Sequence, residues 1–125
     1  MSSPKLPAAS FNRVLNAFTN SMSGLRACLS NEAAFRQEVF ISVFMIPTAF
    51  WLGATATQRV LLISSLLLVL IVELLNSAIE AIVDRIGTDR HELSGLAKDL
   101  GSAAVLISLA TVGLTWGMIA WERFA

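Results

Sequence analysis

From Val60 to Val72 the chain reads VLLISSLLLVLIV, broken only by two serines, and the run ends on a carboxylate, Glu73. Two more uncharged stretches flank it, Val39 to Leu52 before and Ala103 to Trp121 after. The last run is long enough to cross a bilayer as it stands and the first two are long enough with the turns next to them, and in lipid the backbone must satisfy its own hydrogen bonds as helix. Composition agrees: of 125 residues, 55% are hydrophobic and 14% charged, against roughly one quarter charged in soluble domains. The expected fold is an all-α membrane protein with three transmembrane helices and an N-terminal amphipathic interfacial helix.

The expected organisation is a single domain over residues 1–125: a mobile tail at 1–9, a surface helix at 10–30, and transmembrane helices at 32–52, 58–84 and 100–122. Pro4 and Pro7 among small polar residues mark the tail,. The N-terminus has no basic segment leading into a continuous apolar core, so no signal peptide is expected to be removed. Phe11, Val14, Leu15, Phe18, Met22, Leu25 and Leu29 repeat at helical spacing on one face,. Such a helix, too polar to span, either lies in the membrane interface or packs on a soluble core. Ser30 or Asn31 is placed to cap a helix starting near Glu32, and Pro47 predicts a kink in the first span. Gly87, Gly95 and Gly101 would supply turns in the loop from Arg85 to Ser102.

Charge distribution orients the chain. Lys5, Arg13, Arg26, Arg36, Arg85, Arg90 and Lys98 fall on one side of the spans, Arg59 and Arg123 on the other. The positive-inside rule puts the N-terminus and the Arg85 to Ser102 loop in the cytoplasm. Trp51, Trp116 and Trp121 then stand near the outer ends as interfacial anchors. Nine basic and nine acidic residues cancel, so bulk charge points to no nucleic-acid partner. Cys28 is alone, which excludes an internal disulfide and leaves it as a small packing residue,.

The chemistry concentrates on ELLNSAIEAIVDR. From Glu73, the steps to Asn76, Ser77, Glu80 and Asp84 are 3, 4, 7 and 11 residues, which places all five side chains within roughly a 100° arc. An acidic residue at mid-membrane costs about 2.5 to 3.5 kcal/mol, and each aliphatic residue returns about 0.3 to 0.6. The aliphatic run therefore offsets one buried Glu, not several. With Val60 at the outer boundary, Glu80 falls at the cytoplasmic boundary and Glu73 roughly 10 Å deeper. That division suits phosphoryl transfer to a lipid hydroxyl, with a base at the interface and a metal near water. The same stripe is also open to reading as polar glue between helices, or as a cation or proton pathway in a small channel or transporter subunit.

Glu32 stands where a second oxygen ligand for Mg²⁺ would be needed, though it equally suits a helix first turn. The loop offers Arg85, Arg90, His91 and Lys98 to phosphates, or is a plain connector. No Walker A and no GxGxxG sequence occurs, and His91 has no Cys or His partner for zinc,.

The strings NEAAFRQE, RVLLISSLLLVLIVELLNSAIEAIVDRIG, HELSG and AKDLGSAAVLI resemble the prokaryotic diacylglycerol kinase family of small integral-membrane lipid kinases, in order and over nearly the whole chain from Phe11. The resemblance implies an ATP-dependent kinase that converts 1,2-diacylglycerol to phosphatidate, a homotrimer of the bacterial inner membrane with active sites shared between subunits. It implies Glu73 as the catalytic base and Glu32 and Glu80 as ligands of Mg²⁺, with Asn76 and Asp84 supporting. ATP contacts are implied at Arg13, Asn20, Glu32, Glu80, Asp89, Arg90, His91, Lys98 and Asp99. Lipid contacts are implied at Arg13, Ala17, Ser21, Met22, Arg26, Ala34, Phe35, Glu73 and Ser102. Departures fall at Asn20, where the best-studied relatives have Tyr, at Asp89 and Arg90 in place of an acidic-aromatic pair, and at Met22 and Ser23. Undecaprenol, used by a related branch of the family, is the alternative substrate.

Overall fold

The computed structural model describes residues 7–125, and among them every regular element is helical. Most of the expected tail, including Lys5, lies outside the described residues. Four helices follow in order: α1 (Pro7–Asn31), α2 (Ala33–Leu52), α3 (Ala56–Ile86) and α4 (Glu92–Phe124). Pro7 occupies the first helical position of α1, where its missing N–H and fixed φ are tolerated. Phe11, Val14, Leu15, Phe18, Met22 and Leu29 are exposed along α1, and only near its end does a side chain, Cys28, become buried.

The α1–α2 joint is a single extended residue, Glu32, which makes no side-chain cap. Ser30 and Asn31 belong to α1 and do not cap α2 as expected. The carbonyls of Leu29 and Ser30 accept from Arg36 Nη1, both at 2.9 Å. A helix end leaves its last carbonyls unpaired, and a basic side chain from the next helix satisfies them here. α2 runs through Pro47 to Leu52. The following turn is tied by Thr55 Oγ1, which accepts from Gln58 N at 3.2 Å, while Gln58 Oε1 accepts from Ala54 N at 2.8 Å. These reciprocal bonds start α3 much as a capping box does.

α3 and α4 are long and apolar enough to cross a membrane. Their 31 and 33 residues extend about 46 to 50 Å, well beyond a hydrocarbon core of about 30 Å. At one end, Ala49, Leu52, Leu62 and Ile119 form a buried cluster with Ile63, Trp116 and Ala120 against it. Trp116 is thus not a plain interfacial anchor: it is partly buried, and its indole N–H donates to Ser65 Oγ at 3.1 Å and to Leu62 O at 3.3 Å. A buried indole needs an acceptor, and the α3 backbone supplies one. Trp51 and Trp121 are exposed.

At the other end, the expected loop shortens to residues 87–91. Gly95 and Gly101 are helical residues of α4, not turns. Gly87 closes α3 in an extended conformation, and α4 starts at once because His91 caps it.

Candidate functional site

α3 distributes its polar stripe among its neighbours. Glu73 is 7% exposed, the only buried carboxylate among the described residues. One turn on, the stripe divides. Ser77 Oγ lies 3.7 Å from Cys28 Sγ of α1, while Asn76 faces α4 at Gly101. Asn76 Nδ2 donates to Glu80 Oε1 at 3.4 Å. Asp84, another turn along, pairs with Lys98 Nζ of α4 at 2.9 Å. An arc of about 100° is wide enough to meet two packing partners, so side chains on one stripe acquire different neighbours.

The α2 side contributes more acid. Glu32, Glu38 and Glu80 all lie within Coulombic reach of Glu73. Glu38 is a residue that the sequence reasoning missed. Its signal was available: it is the last charge before the uncharged stretch that begins at Val39, the same anomaly that singled out Glu73. Glu32 also lines a cavity of about 290 Å³ between α1 and α3, with Gly24, Ala27, Cys28, Asn31, Leu74, Ser77 and Ala78.

Among the described residues no three His, Cys, Asp or Glu side chains come close enough to cage a metal ion. Mg²⁺ does not require such a cage. It usually takes one or two carboxylates and completes its octahedron with water and phosphate oxygens. Glu32, half-buried at the α1–α2 joint, and Glu80 on α3 carry oxygen donors of the kind that Mg²⁺ takes,.

The loop residues gather at the far end of the α3–α4 pair. Asp84, Asp89, Arg90, His91, Ser94 and Lys98 line a cavity of about 460 Å³, and Asp99 joins Arg90 and His91 around a neighbouring one of about 590 Å³. His91 is engaged there: its Nδ1 accepts from Leu93 N at 3.0 Å. The remaining candidates lie apart. Arg13, Ala17, Asn20, Ser21, Met22 and Arg26 stand exposed on α1, and α1 makes no contact with α4. Ser21 Oγ donates to Ala17 O at 2.8 Å. Ala34 and Ser102 are exposed, whereas Phe35 is 2% exposed and packs inside the protein. One chain therefore assembles Glu73, Asn76 and Glu80 with Glu32, and separately the α4 loop group, without joining either to the exposed stretch of α1.

Comparison with known proteins adds independent findings. A sequence model of the family described as prokaryotic diacylglycerol kinase matches residues 19–120. The chain is 55% identical over 114 residues to the diacylglycerol kinase of Escherichia coli strain K12, covering 91% of this chain and 93% of that protein. It is 54% identical over 106 residues to the diacylglycerol kinase of Haemophilus influenzae, covering 85% and 90%. With the diacylglycerol kinase of Helicobacter pylori strain 26695 it shares 42% identity over 110 residues, covering 88% and 86%.

Proposed function

The chain belongs to the prokaryotic diacylglycerol kinase family, and on that premise we propose that it transfers the γ-phosphoryl group of ATP to the free hydroxyl of 1,2-diacylglycerol at the cytoplasmic face of the bacterial inner membrane. The observation that carries the site is the burial of Glu73, a carboxylate in an apolar helix with three other carboxylates in Coulombic reach. Holding that much acid around one buried group is unfavourable unless a cation or a proton is managed there.

In this reading Glu73 receives the proton of the lipid hydroxyl as it attacks phosphorus. Glu32 and Glu80 would hold Mg²⁺, which supplies neutralisation of the nucleotide phosphates when bound. Asn76 donates to Glu80 and keeps its carboxylate oriented. Lys98 is held by Asp84 until phosphate oxygens compete for it, and a half-exposed pair of this kind is easily exchanged,. Arg90, His91 and Asp99 border the same cavities and complete the nucleotide side.

The architecture proposed with it has three crossings. α2 carries exposed Phe40, Ile41, Val43, Phe44 and Phe50, a surface suited to lipid or to another helix, and its 20 residues span about 30 Å. α1 then lies in the interface on Phe11, Val14, Leu15 and Phe18, with the N-terminus on the cytoplasmic side. In the homotrimer that the family resemblance implies, the surface helix of one subunit would complete the site of its neighbour, which the separation of α1 from α4 within one chain leaves open.

Phosphate transfer from radiolabelled ATP to diacylglycerol by the purified protein in mixed micelles tests the proposal, with undecaprenol assayed in parallel. Label in phosphatidate supports it. Label only in the polyprenol redirects the substrate, and ion flux without any labelled lipid overturns the kinase reading.

A further inference from the structure

We infer that Gly101 is a positioning residue: by leaving no side chain on α4 opposite Asn76, it leaves room for the Asn76 side chain to lie where its NH₂ group reaches Glu80. The inference rests on the reading of Glu80 as a ligand of the phosphotransfer metal.

Three observations converge on this pair. Gly101 is buried in the middle of a regular helical stretch, where glycine weakens a helix relative to alanine. A Cβ added at Gly101 would overlap Asn76 Oδ1, whereas at Gly95, Gly113 and Gly117 of the same helix it would meet nothing. Asn76 Oδ1 is the one fully buried side-chain polar atom without a hydrogen-bond partner among the described residues. An amide carbonyl pressed against a backbone that offers no N–H is an unfavourable arrangement. It has one evident return: the other half of the amide donates to Glu80 Oε1. The opposite amide orientation would set a carbonyl oxygen against a carboxylate. The carboxylate selects the NH₂ end of the amide, and Gly101 leaves the space in which the amide can present it, through contact and not through any bond of its own. Partners that orient a ligating carboxylate typically change metal affinity when lost.

The test is a double-mutant cycle with a spectroscopic arm. Gly101→Ala is expected to raise the Mg²⁺ concentration for half-maximal activity about tenfold, and Asn76→Ala by a similar factor. Because Gly101 acts only through Asn76, Gly101→Ala/Asn76→Ala should match Asn76→Ala alone; effects that multiply would overturn the inference. Gly113→Ala, in open space on the same helix, should leave the requirement unchanged. In metal-free protein, the side-chain NH₂ resonance of Asn76, identified by its loss in Asn76→Ala, should move on Gly101→Ala. An unmoved resonance overturns the positioning role whatever Glu80 binds. If it moves while Glu80→Gln leaves the Mg²⁺ requirement untouched, the metal reading of Glu80 fails instead, and the inferred link to metal affinity fails with it. Should Gly101→Ala misfold, the double variant removes the overlap and should recover folded protein; failure to recover it also overturns the inference.

Discussion

Lys98 Nζ lies 2.9 Å from Asp84 Oδ1 and ties the first turns of α4 to the end of α3, across 14 residues of sequence. Both side chains are about half exposed, 45% and 56%, so the pair contributes less than about 1 kcal/mol to stability. In the proposed reaction its value lies in holding a cation for the nucleotide phosphates. Lys98→Ala should therefore cut turnover about a hundredfold while thermal stability moves little. Asp84→Asn should have a much smaller effect on turnover. Equal losses in the two variants, measured with saturating lipid, would reduce Lys98 to a structural tether.

Glu73→Gln separates chemistry from folding. The substitution keeps the shape and removes only the basic oxygen, so turnover should drop about a hundredfold to ten-thousandfold. Folding should be preserved, because a neutral amide replaces a charge that is unfavourable in a buried setting. Substantial lipid phosphorylation by this variant would remove Glu73 as the base.

Glu80→Gln should act on the metal and not on the lipid. The Mg²⁺ concentration for half-maximal activity should rise about tenfold or more, with the diacylglycerol KM nearly unchanged. A metal titration indistinguishable from that of the unaltered protein would take Glu80 out of the ligand set.

Trp116→Phe probes the end of the bundle remote from the carboxylates. A six-membered aromatic ring remains while the pyrrole half of the indole and its donor are lost, yet Ser65 Oγ still donates to Leu62 O at 2.7 Å. The expected change is about 1 to 3 kcal/mol of stability, from the lost donor and the lost packing together, seen as faster thermal inactivation with unaltered kcat. A large fall in kcat at full stability would mean that the two ends are coupled.

Helix placement was largely legible from residue order, because α3 and α4 are built on uncharged runs and a lipid-exposed backbone has few other options. The joints were less so. Ser30 and Asn31 carry good capping chemistry, but Arg36 claims the carbonyls of the α1 end and leaves Glu32 as the hinge. The glycines after Arg85 look like turn formers in isolation, and only packing reveals that Gly101 serves an α3–α4 contact.

The candidate site divides along the same line. Periodicity alone put Glu73, Asn76, Ser77, Glu80 and Asp84 on one face of α3, since spacing along a helix is a local property. Which neighbour each side chain meets is not local. Tertiary packing turned Ser77 towards Cys28, Asn76 towards Gly101 and Asp84 towards Lys98, and it brought the overlooked Glu38 within reach of Glu73. The helical period determines the direction of a side chain, and the approach of a second helix determines what occupies that direction.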